Sequence, residues 1–467
     1  MELEKRNIDI QLFDVFILII DSKNIMEEIC AKEFKSFLPV INKPILIYQL
    51  EYLQRNQIKK VNLLVNKDDF KKLQSLIYFY SCSIQIDIIE ITNYGTDIFN
   101  AIEKNRTQSD VILIEGDIIL DFDLWKFYDS HLINDNLVTL ILQKRKKESS
   151  EEQKRKKESS NEKKLEVGED KTKYAFGLDE NDNNHIILHK ILKNKDDNLL
   201  VGKKLLNYSP NFKLVLNYID VGIYIFNEKI FNLVKNLTSY YEEKNKSKKE
   251  IFENLKEKFI PFLINKSYSK RIFKMCNNEN DKQKSNQKFK IRCKLIDNEN
   301  GEEYCYKVYD YPSYLYLIEE IQKPYDNIRD IFFPTKNNGK NYFLNFENQI
   351  KKNIDNRCKF SENIPELNGI SKDSYIHENI TKIDKGISIE KSVINKNLRL
   401  GENSKIISCV IGFNCNIGHN CELTNCVIGN NTVIGDNCQI SGCIIANDYK
   451  VEEKTNVSKE ILGKNEN

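Results

Sequence analysis

The most regular hydrophobic pattern lies in the C-terminal part of the chain. Branched aliphatic residues recur there in steps of 6, 5 and 6, which sum to 17 residues per cycle. Coiled coils have a hydrophobic repeat of about 3.5 residues and amphipathic helices one of about 3.6 residues, so neither structure explains these steps. The pattern predicts a parallel β-helix of triangular section, in which three short strands complete a coil and each aliphatic points inward. The repeated positions are Ile383, Ile389, Ile394, Leu400, Ile406, Ile411, Ile417, Leu423, Ile428, Ile434, Ile440, Ile445 and Val451.

Glycine and polar residues occupy many positions between these aliphatics. Tight corners with unusual backbone angles favour glycine, asparagine and aspartate, so these residues predict the corners of each coil. Glycine directly follows the repeated aliphatic at Gly401, Gly412, Gly418, Gly429 and Gly435.

Cysteine residues share the 17-residue spacing of the repeat. Cys409, Cys426 and Cys443 form one series, and Cys421 and Cys438 form a second. A metal site would need ligands at short spacings such as C-x-x-C, which this repeat lacks. We therefore expect reduced thiols that stack on successive coils at inward or corner positions.

Strand and helix patterns alternate along residues 13–143. Apolar runs of strand length are separated by segments of helical periodicity, which predicts βαβ units and a mostly parallel sheet with helices on both faces. The predicted strands are 13–20, 61–65, 84–91, 111–114 and 137–142, and the predicted helices are 44–54, 70–80 and 98–104.

Four segments of the N-terminal half resemble sugar-nucleotide pyrophosphorylases. Residues 34–46 (FKSFLPVINKPIL) are similar to their P-K-P-L-L-P-V-x-N-K-P-L-I segment, and residues 95–97 (GTD) resemble their G-T-A. Residues 115–117 (EGD) lie where those enzymes carry the aspartate that holds Mg²⁺, and residues 219–226 match a later strand. The resemblance implies a Rossmann-like nucleotidyltransferase domain with a mostly parallel sheet, followed by a left-handed parallel β-helix of hexapeptide repeats.

The loop after the first predicted strand departs from that family. Active pyrophosphorylases carry G-G-x-G-x-R there, because glycine lets backbone amides wrap the triphosphate and the arginine neutralises pyrophosphate. Residues 21–29 contain neither glycine nor arginine and include three acidic side chains. We therefore predict an inactive pocket without catalytic residues, cofactor or metal. Lys35 and Asp117 remain as vestigial pocket positions with structural roles such as ion pairing, because one carboxylate leaves most of a Mg²⁺ shell to water.

An inactive pyrophosphorylase-like domain followed by a β-helix resembles the gamma and epsilon subunits of eukaryotic translation initiation factor 2B. Residues 109–119 and 257–266 are similar to gamma-type segments. The chain also ends at Asn467, soon after the last repeat, where an epsilon-type chain would continue into a helical HEAT-type domain. These features favour a gamma-type subunit.

The resemblance implies a scaffolding or regulatory role in a guanine nucleotide exchange factor. Such a subunit pairs with the catalytic epsilon subunit, and the larger complex contains alpha, beta and delta subunits. Its substrate is GDP-bound initiation factor 2, whose GDP release the complex accelerates.

Composition and charge narrow the other possibilities. The 467 residues carry 71 basic and 69 acidic side chains, a net charge of +2, which gives no case for direct nucleic-acid binding. The mixed charges of the first residues do not form a signal peptide, and the first apolar run is too short to span a membrane. We expect a cytosolic protein that contacts no membrane.

The expected domain organisation follows from these patterns. Residues 1–324 form the nucleotidyltransferase-like domain, residues 325–365 a linker, and residues 366–467 the β-helix. Two polar stretches at about 144–173 and 276–290 are expected to be disordered inserts. Segments of mixed charge without apolar residues bury too little apolar surface to offset the conformational entropy lost on ordering. A tyrosine-rich stretch, residues 304–321, is expected to form a sheet-edge strand followed by a helix.

Two enzymatic alternatives remain open at this point. The first is an active or regulatory sugar-nucleotide pyrophosphorylase of the mannose-1-phosphate guanylyltransferase type, with Asp117 as metal ligand and Lys35 on phosphate. The second is an acyltransferase that uses His419 of the β-helix, although a solvated turn residue is the simpler interpretation of that histidine.

Overall fold

The computed structural model contains two compact units. The first holds the described residues of 1–22, 49–146 and 170–307, and the second those of 23–48 and 308–467. The structure describes residues 12–19, 35–40, 43–80, 84–92, 95–108, 110–144, 173–182, 184–192, 201, 203–243, 251–276, 289–297, 303–309, 313–314, 317, 358–360, 374–377, 382–383, 386–458 and 460–463. The loop 21–29, most of the predicted inserts and most of the predicted linker 325–365 lie outside these residues.

The strands and helices of residues 13–144 follow the predicted alternation closely, and further strands and helices extend to residue 307. The strands are β1 (Phe13–Ile19), β2 (Pro39–Val40), β3 (Lys43–Pro44), β4 (Lys60–Asn66), β5 (Gln85–Ile91), β6 (Asp110–Glu115), β7 (Ile118–Asp121), β8 (Asn136–Lys144), β9 (Lys173–Asp179), β10 (Ile186–Leu192), β11 (Phe212–Val215), β12 (Tyr218–Phe226), β13 (Lys290–Ile296) and β14 (Tyr304–Lys307). The α-helices are α1 (Ile45–Arg55), α2 (Phe70–Tyr80), α3 (Thr96–Asn105), α4 (Leu124–Ile133), α5 (Lys203–Tyr208), α6 (Lys229–Glu243), α7 (Ile260–Asn265) and α8 (Lys270–Cys276).

A seven-stranded sheet forms the centre of the first unit, in the order β13-β8-β12-β6-β1-β4-β5. The pairs β1–β4, β1–β6, β4–β5 and β8–β13 are parallel, whereas β12 runs antiparallel to both β6 and β8. All seven side chains of β1 are buried, as expected for a strand covered on both faces. The mostly parallel sheet predicted from the sequence is therefore confirmed.

This unit also contains two smaller sheets, and β14 is the one strand in them that the sequence analysis predicts. Strands β10, β9 and β11 form a three-stranded antiparallel sheet, and β14 pairs antiparallel with β7. The strand expected at the start of the tyrosine-rich stretch is thus present as β14. The helix expected after it lies largely outside the described residues.

The second unit contains the repeat, which forms a parallel β-helix. Its strands are β15 (Cys358–Phe360), β16 (Tyr375–His377), β17 (Lys382–Ile383), β18 (Ser388–Glu390), β19 (Val393–Ile394), β20 (Arg399–Leu400), β21 (Lys405–Ile407), β22 (Val410–Ile411), β23 (Asn416–Ile417), β24 (Glu422–Thr424), β25 (Val427–Ile428), β26 (Val433–Ile434), β27 (Gln439–Ser441), β28 (Ile444–Ile445), β29 (Lys450–Val451), β30 (Asn456–Ser458) and β31 (Ile461–Leu462). They form three sheets in which every third strand pairs in parallel, for example Ile406 with Leu423 and Leu423 with Ile440. Only β15, inside the predicted linker, pairs antiparallel among the described strands of these sheets.

The core of the β-helix consists of the residues that the repeat identified. The aliphatics from Ile389 to Val451 at the repeated positions are buried in one cluster, together with the cysteines at 17-residue spacing. The cysteine side chains donate to backbone carbonyls of their own or the next coil, as Cys421 Sγ does to Gly435 O at 3.1 Å. The structure shows nine free cysteine thiols: Cys276, Cys293, Cys305, Cys409, Cys415, Cys421, Cys426, Cys438 and Cys443.

The corners of the coil correct one part of the sequence interpretation. The residues with positive φ are mainly asparagine, aspartate, serine and lysine, and they recur in steps of 6, 6 and 5. The glycines that follow the aliphatics serve a different purpose, because a Cβ at Gly418 would lie 2.8 Å from backbone atoms of Asp436 and Gly435 on the next coil. These glycines therefore permit close stacking of coils, whereas asparagine provides most of the left-handed corners.

Asparagine side chains also link successive coils at one corner. Asn397 Nδ2 donates to Asn414 Oδ1 at 2.8 Å, and Asn414 Nδ2 donates to Asn431 Oδ1 at 3.0 Å. Asn431 in turn donates to Asp448 Oδ1 at 2.8 Å. The same side chains thus satisfy the backbone requirement of the corner and hold adjacent coils in register.

Within the described part of the chain, no helix is both long and apolar enough to cross a membrane.

Candidate functional site

The candidate site is the turn that joins β6 to β7, where the pyrophosphorylase resemblance places a metal-binding aspartate. Strand β6 ends at Glu115, Gly116 continues its pairing by donating from N to Leu18 O at 2.9 Å, and Asp117 precedes β7. The buried side chain of Gln49, on α1, fixes this turn, because its Nε2 donates to Glu115 O at 2.8 Å and to Ile118 O at 3.0 Å. Two carboxylates separated by one glycine are thereby held on a rigid backbone.

Lys307 provides the counter-charge to both carboxylates. In the β7–β14 pair Lys307 lies opposite Ile118, the residue next to Asp117. Its Nζ donates to Asp117 Oδ1 at 2.7 Å and also forms an ion pair with Glu115 Oε2. The side chains of Lys307 and Asp117 are 7% and 9% exposed, and that of Glu115 is 20% exposed.

Burial and charge act in opposite directions on Lys307. Burial alone would lower the pKa of its ammonium group, but the carboxylates of Asp117 and Glu115 outweigh burial and raise the pKa above its ordinary value. Lys307 therefore stays charged at any physiological pH. A buried ion pair of this kind contributes little compared with an apolar pair, but loss of one partner leaves an uncompensated buried charge.

Gly222, on β12, provides the space for the Glu115 carboxylate. Its φ is +87°, and a Cβ built on it would lie 2.4 Å from the carboxyl carbon of Glu115. Any larger residue would therefore be strained in its backbone and would displace Glu115. The glycine is required by the position of the carboxylate as well as by the local backbone conformation.

A third carboxylate, Asp220, lies on the same strand and is fully buried. Its Oδ1 accepts from Gly222 N at 2.8 Å and its Oδ2 accepts from the Tyr224 hydroxyl at 2.9 Å. Burial raises the pKa of Asp220 to about 6. Both oxygens are thus committed to hydrogen bonds within β12.

His189, on β10, is a further buried titratable group of the same unit. Its ring stacks on Phe176 with centroids 4.5 Å apart, and neither ring nitrogen has a hydrogen-bond partner among the described residues. Burial, with a smaller effect of Lys256, lowers the pKa of His189 to about 3, so the ring is neutral. Asn265 fixes the backbone of the same residue, donating to its carbonyl at 2.8 Å. The histidine therefore packs as an aromatic side chain.

The two pocket positions named from the sequence are each found in ordered structure. Asp117 belongs to the ion-paired turn described above. Lys35 opens a short 3-10 helix, Lys35–Phe37, in the second unit and is buried; its carbonyl accepts from Leu38 N at 3.0 Å. Their assignment as vestigial pocket positions stays a prediction.

A divalent metal ion does not fit the carboxylate pair as it stands. The ammonium group of Lys307 already contacts both Asp117 and Glu115, and a second cation at this position would be repelled. Nor does any group of three histidine, cysteine or acidic side chains in the described ranges have the arrangement that would hold a metal. Hard divalent ions need several oxygen ligands, which this pair alone does not supply.

His419, the residue of the acyltransferase alternative, is an exposed corner residue of the β-helix. Its Nδ1 accepts a hydrogen bond from Glu402 N at 2.9 Å, on the preceding coil. The ring therefore helps to hold two coils together, in agreement with the interpretation as a turn residue.

Sequence reasoning identified Asp117 in a motif that also contains Glu115, but it missed Lys307 as the partner of both. Lys307 and Asp117 are separated by 190 residues in sequence, so no local motif joins them. One signal was present in the YCYKV segment, where Lys307 stands between the apolar residues of a strand. A single lysine inside an apolar run indicates a buried charge that requires an acidic partner.

Comparison with known proteins is consistent with this architecture. A family described as the EIF2B subunit epsilon LbH domain, a left-handed β-helix, matches residues 371–465. The chain is 22% identical over 263 residues to translation initiation factor eIF2B subunit gamma of Dictyostelium discoideum, and the similarity covers 54% of this chain and 57% of that protein. It is also 28% identical over 114 residues to bifunctional protein GlmU of Methanococcus vannielii, covering 24% of this chain and 27% of that protein.

The structure and the comparisons together indicate the fold class of the protein and the type of protein it resembles. The repeat is a hexapeptide-type left-handed β-helix, and the similarity to GlmU together with the mostly parallel sheet supports a nucleotidyltransferase-like fold. The two initiation-factor matches support an eIF2B-type protein with a hexapeptide-repeat C-terminus. The chain spans little more than half the length of the gamma subunit it matches.

Proposed function

We propose that this protein is a non-catalytic, gamma-type subunit of the guanine nucleotide exchange factor that recycles GDP-bound initiation factor 2. It acts in the cytosol during translation initiation and scaffolds or regulates a catalytic epsilon-type subunit. Alpha-, beta- and delta-type subunits complete the larger complex. The function comes from surfaces that hold other proteins, and neither nucleic acid nor a membrane is a direct ligand.

One observation carries this proposal: two comparisons of different kinds point to subunits of the same factor. The β-helix matches a domain family of the epsilon subunit, and a 263-residue similarity links the chain to a gamma subunit. A nucleotidyltransferase-like fold followed by a β-helix is the order expected of such a subunit.

The non-catalytic part of the proposal is supported by the candidate site. The aspartate at the metal-binding position, Asp117, is engaged by the ammonium group of Lys307. The loop 21–29 also lacks the glycines and the arginine that a triphosphate cradle requires. Both features oppose binding of a nucleotide with its metal ion.

Co-purification with an epsilon-type subunit tests the proposal. The tagged full-length chain and the epsilon-type subunit are co-expressed, passed over a size-exclusion column, and assayed for release of labelled GDP from initiation factor 2. We expect one stable complex that releases GDP faster than the epsilon-type subunit alone. Separate elution together with an unchanged release rate would contradict the proposal.

A second function, that of a sugar-nucleotide pyrophosphorylase, is favoured by one specific observation, the similarity to GlmU. Calorimetry of the full chain with GTP or ATP and Mg²⁺ separates the two functions. Micromolar binding that disappears in Asp117→Asn would favour the enzyme, whereas the absence of binding heat would favour the scaffolding subunit.

A further inference from the structure

We propose that the Lys307 side chain is a built-in cation that takes the place of a divalent metal ion between Glu115 and Asp117. The wild-type protein therefore excludes metal from this turn, and removal of the lysine charge converts the turn into a divalent-cation site. This inference concerns only the β6–β7 turn and holds whether or not the chain belongs to an exchange factor.

The first argument is the convergence of the two carboxylates on one atom. Glu115 and Asp117 lie on either side of Gly116, and both contact Nζ of Lys307. Two acidic side chains so close together in a largely buried turn would repel each other without a shared positive charge. The position of Nζ is thus a place where the fold holds a cation.

The second argument is that the turn does not depend on Lys307 for its shape. Gln49 holds the carbonyl groups of Glu115 and Ile118, and Gly116 pairs with Leu18 on the adjacent strand. The open space beside Gly222 accommodates the Glu115 carboxylate. The oxygen ligands are therefore positioned by their own backbone and would remain in place around a different cation.

The third argument concerns charge and ligand type. Carboxylate oxygens on a rigid turn suit hard cations such as Mg²⁺ and Mn²⁺, whereas an ammonium group of fixed single charge blocks them by repulsion. Substitution of Lys307 by aspartate would replace the internal cation with a third oxygen ligand. Substitution by glutamine would remove the charge and leave an amide oxygen as ligand.

The test uses Mn²⁺ as the probe and the full-length chain as wild type, Lys307→Asp and Lys307→Gln. Free Mn²⁺ is measured by electron paramagnetic resonance during titration, with Asp117→Asn added to each variant as the matched control. We expect Lys307→Asp to bind Mn²⁺ at least tenfold more tightly than wild type, and Lys307→Gln to bind with intermediate affinity. Addition of Asp117→Asn should return both to the wild-type level.

Stability measurements keep the test informative if a variant folds poorly. Thermal unfolding is recorded with and without Mn²⁺, and the inference predicts that Mn²⁺ raises the midpoint of Lys307→Asp but not that of wild type. A folded Lys307→Asp protein that binds Mn²⁺ no better than wild type would overturn the inference. So would Asp117-dependent Mn²⁺ binding by the wild-type protein.

A measurement on the wild-type chain alone provides a further check. Reductive methylation followed by mass spectrometry compares Lys307 with Lys235, an exposed lysine of the same unit. Because Lys307 is buried and paired, we expect its modification in the native protein to be at least tenfold slower. Equal rates would show that its ammonium group is not held between the carboxylates and would overturn the inference.

Discussion

Replacement of Lys307 by methionine tests whether the ion pairs of Lys307 with Asp117 and Glu115 stabilise the protein. Methionine preserves most of the side-chain length but removes the charge that faces Asp117 and Glu115. Because the Lys307 and Asp117 side chains are 7% and 9% exposed, water cannot replace the lost partner easily. Breaking a buried ion pair on one side costs about 3–5 kcal/mol, and we expect a loss of that size in the free energy of unfolding.

The single tryptophan of the chain makes this loss measurable in the correct unit. Trp125 is the second residue of α4. Its Nε1 donates to Asn56 O at 2.9 Å, and its ring packs on that of Phe13 at a centroid distance of 5.1 Å. The β-helix contains no tryptophan, so the fluorescence transition in urea reports on the sheet unit alone. Its midpoint and slope give the free energy of unfolding.

Two further variants separate charge from general damage. Lys258→Met removes an exposed ion pair with Glu253, whose partners are 44% and 53% exposed, and should cost no more than about 1 kcal/mol. Lys307→Met combined with Asp117→Asn removes both charges of one pair and should recover at least half of the lost stability. If Lys307→Met is no more damaging than Lys258→Met, the account of a buried, shared counter-ion is wrong.

The remaining predictions concern other parts of the structure. The pKa of His189 is lowered from 6.5 to about 3, so the unfolded chain binds more protons between these values and stability falls as the pH drops through that window. Between pH 8 and pH 5 this effect lowers the free energy of unfolding by about 2 kcal/mol. His189→Phe should reduce the change in the free energy of unfolding over this pH range by the same amount. An unchanged pH dependence in His189→Phe would contradict the buried, neutral ring. Gly222→Ala should cost about 3 kcal/mol in the same fluorescence assay, because it combines a φ of +87° with a clash against Glu115; a loss below about 1 kcal/mol would count against the observed packing. In the β-helix, Asn414→Gly should be less damaging than Asn414→Ala by about 1 kcal/mol in thermal unfolding followed by circular dichroism, because the φ of Asn414 is +58°; the reverse order would contradict the left-handed corner.

The fold of the repeat could be predicted because its information is local. Each coil needs an aliphatic side chain at a fixed spacing, and the residues of that series from Ile389 onwards lie in the β-helix core. The structural role of the repeat glycines could not be predicted from the sequence. Close contact with the next coil and a positive φ both favour glycine, so its presence does not tell which of the two applies. The structure separates them, assigning close stacking to Gly418 and its equivalents and left-handed corners mainly to asparagine.

The candidate site could be predicted only in part because its members come from distant segments. Asp117 was identified since it follows an apolar strand in a recognisable motif. Lys307 contacts Asp117 because β14 pairs with β7. This pairing joins distant segments in the tertiary fold, so it could not be predicted from local sequence. Asp220 and Gly222 lie in the strand that matches the pyrophosphorylases, but no sequence pattern connects either residue with Glu115.

Nucleotidyl transfer by the purified full-length chain tests the central claim most directly. The chain is incubated with GTP, mannose 1-phosphate and Mg²⁺, and pyrophosphate release is followed alongside an Asp117→Asn control. Because the ammonium group of Lys307 contacts both Asp117 and Glu115, and residues 21–29 contain neither glycine nor arginine, we expect no release above the control. Turnover by the wild-type chain that Asp117→Asn abolishes would contradict the account.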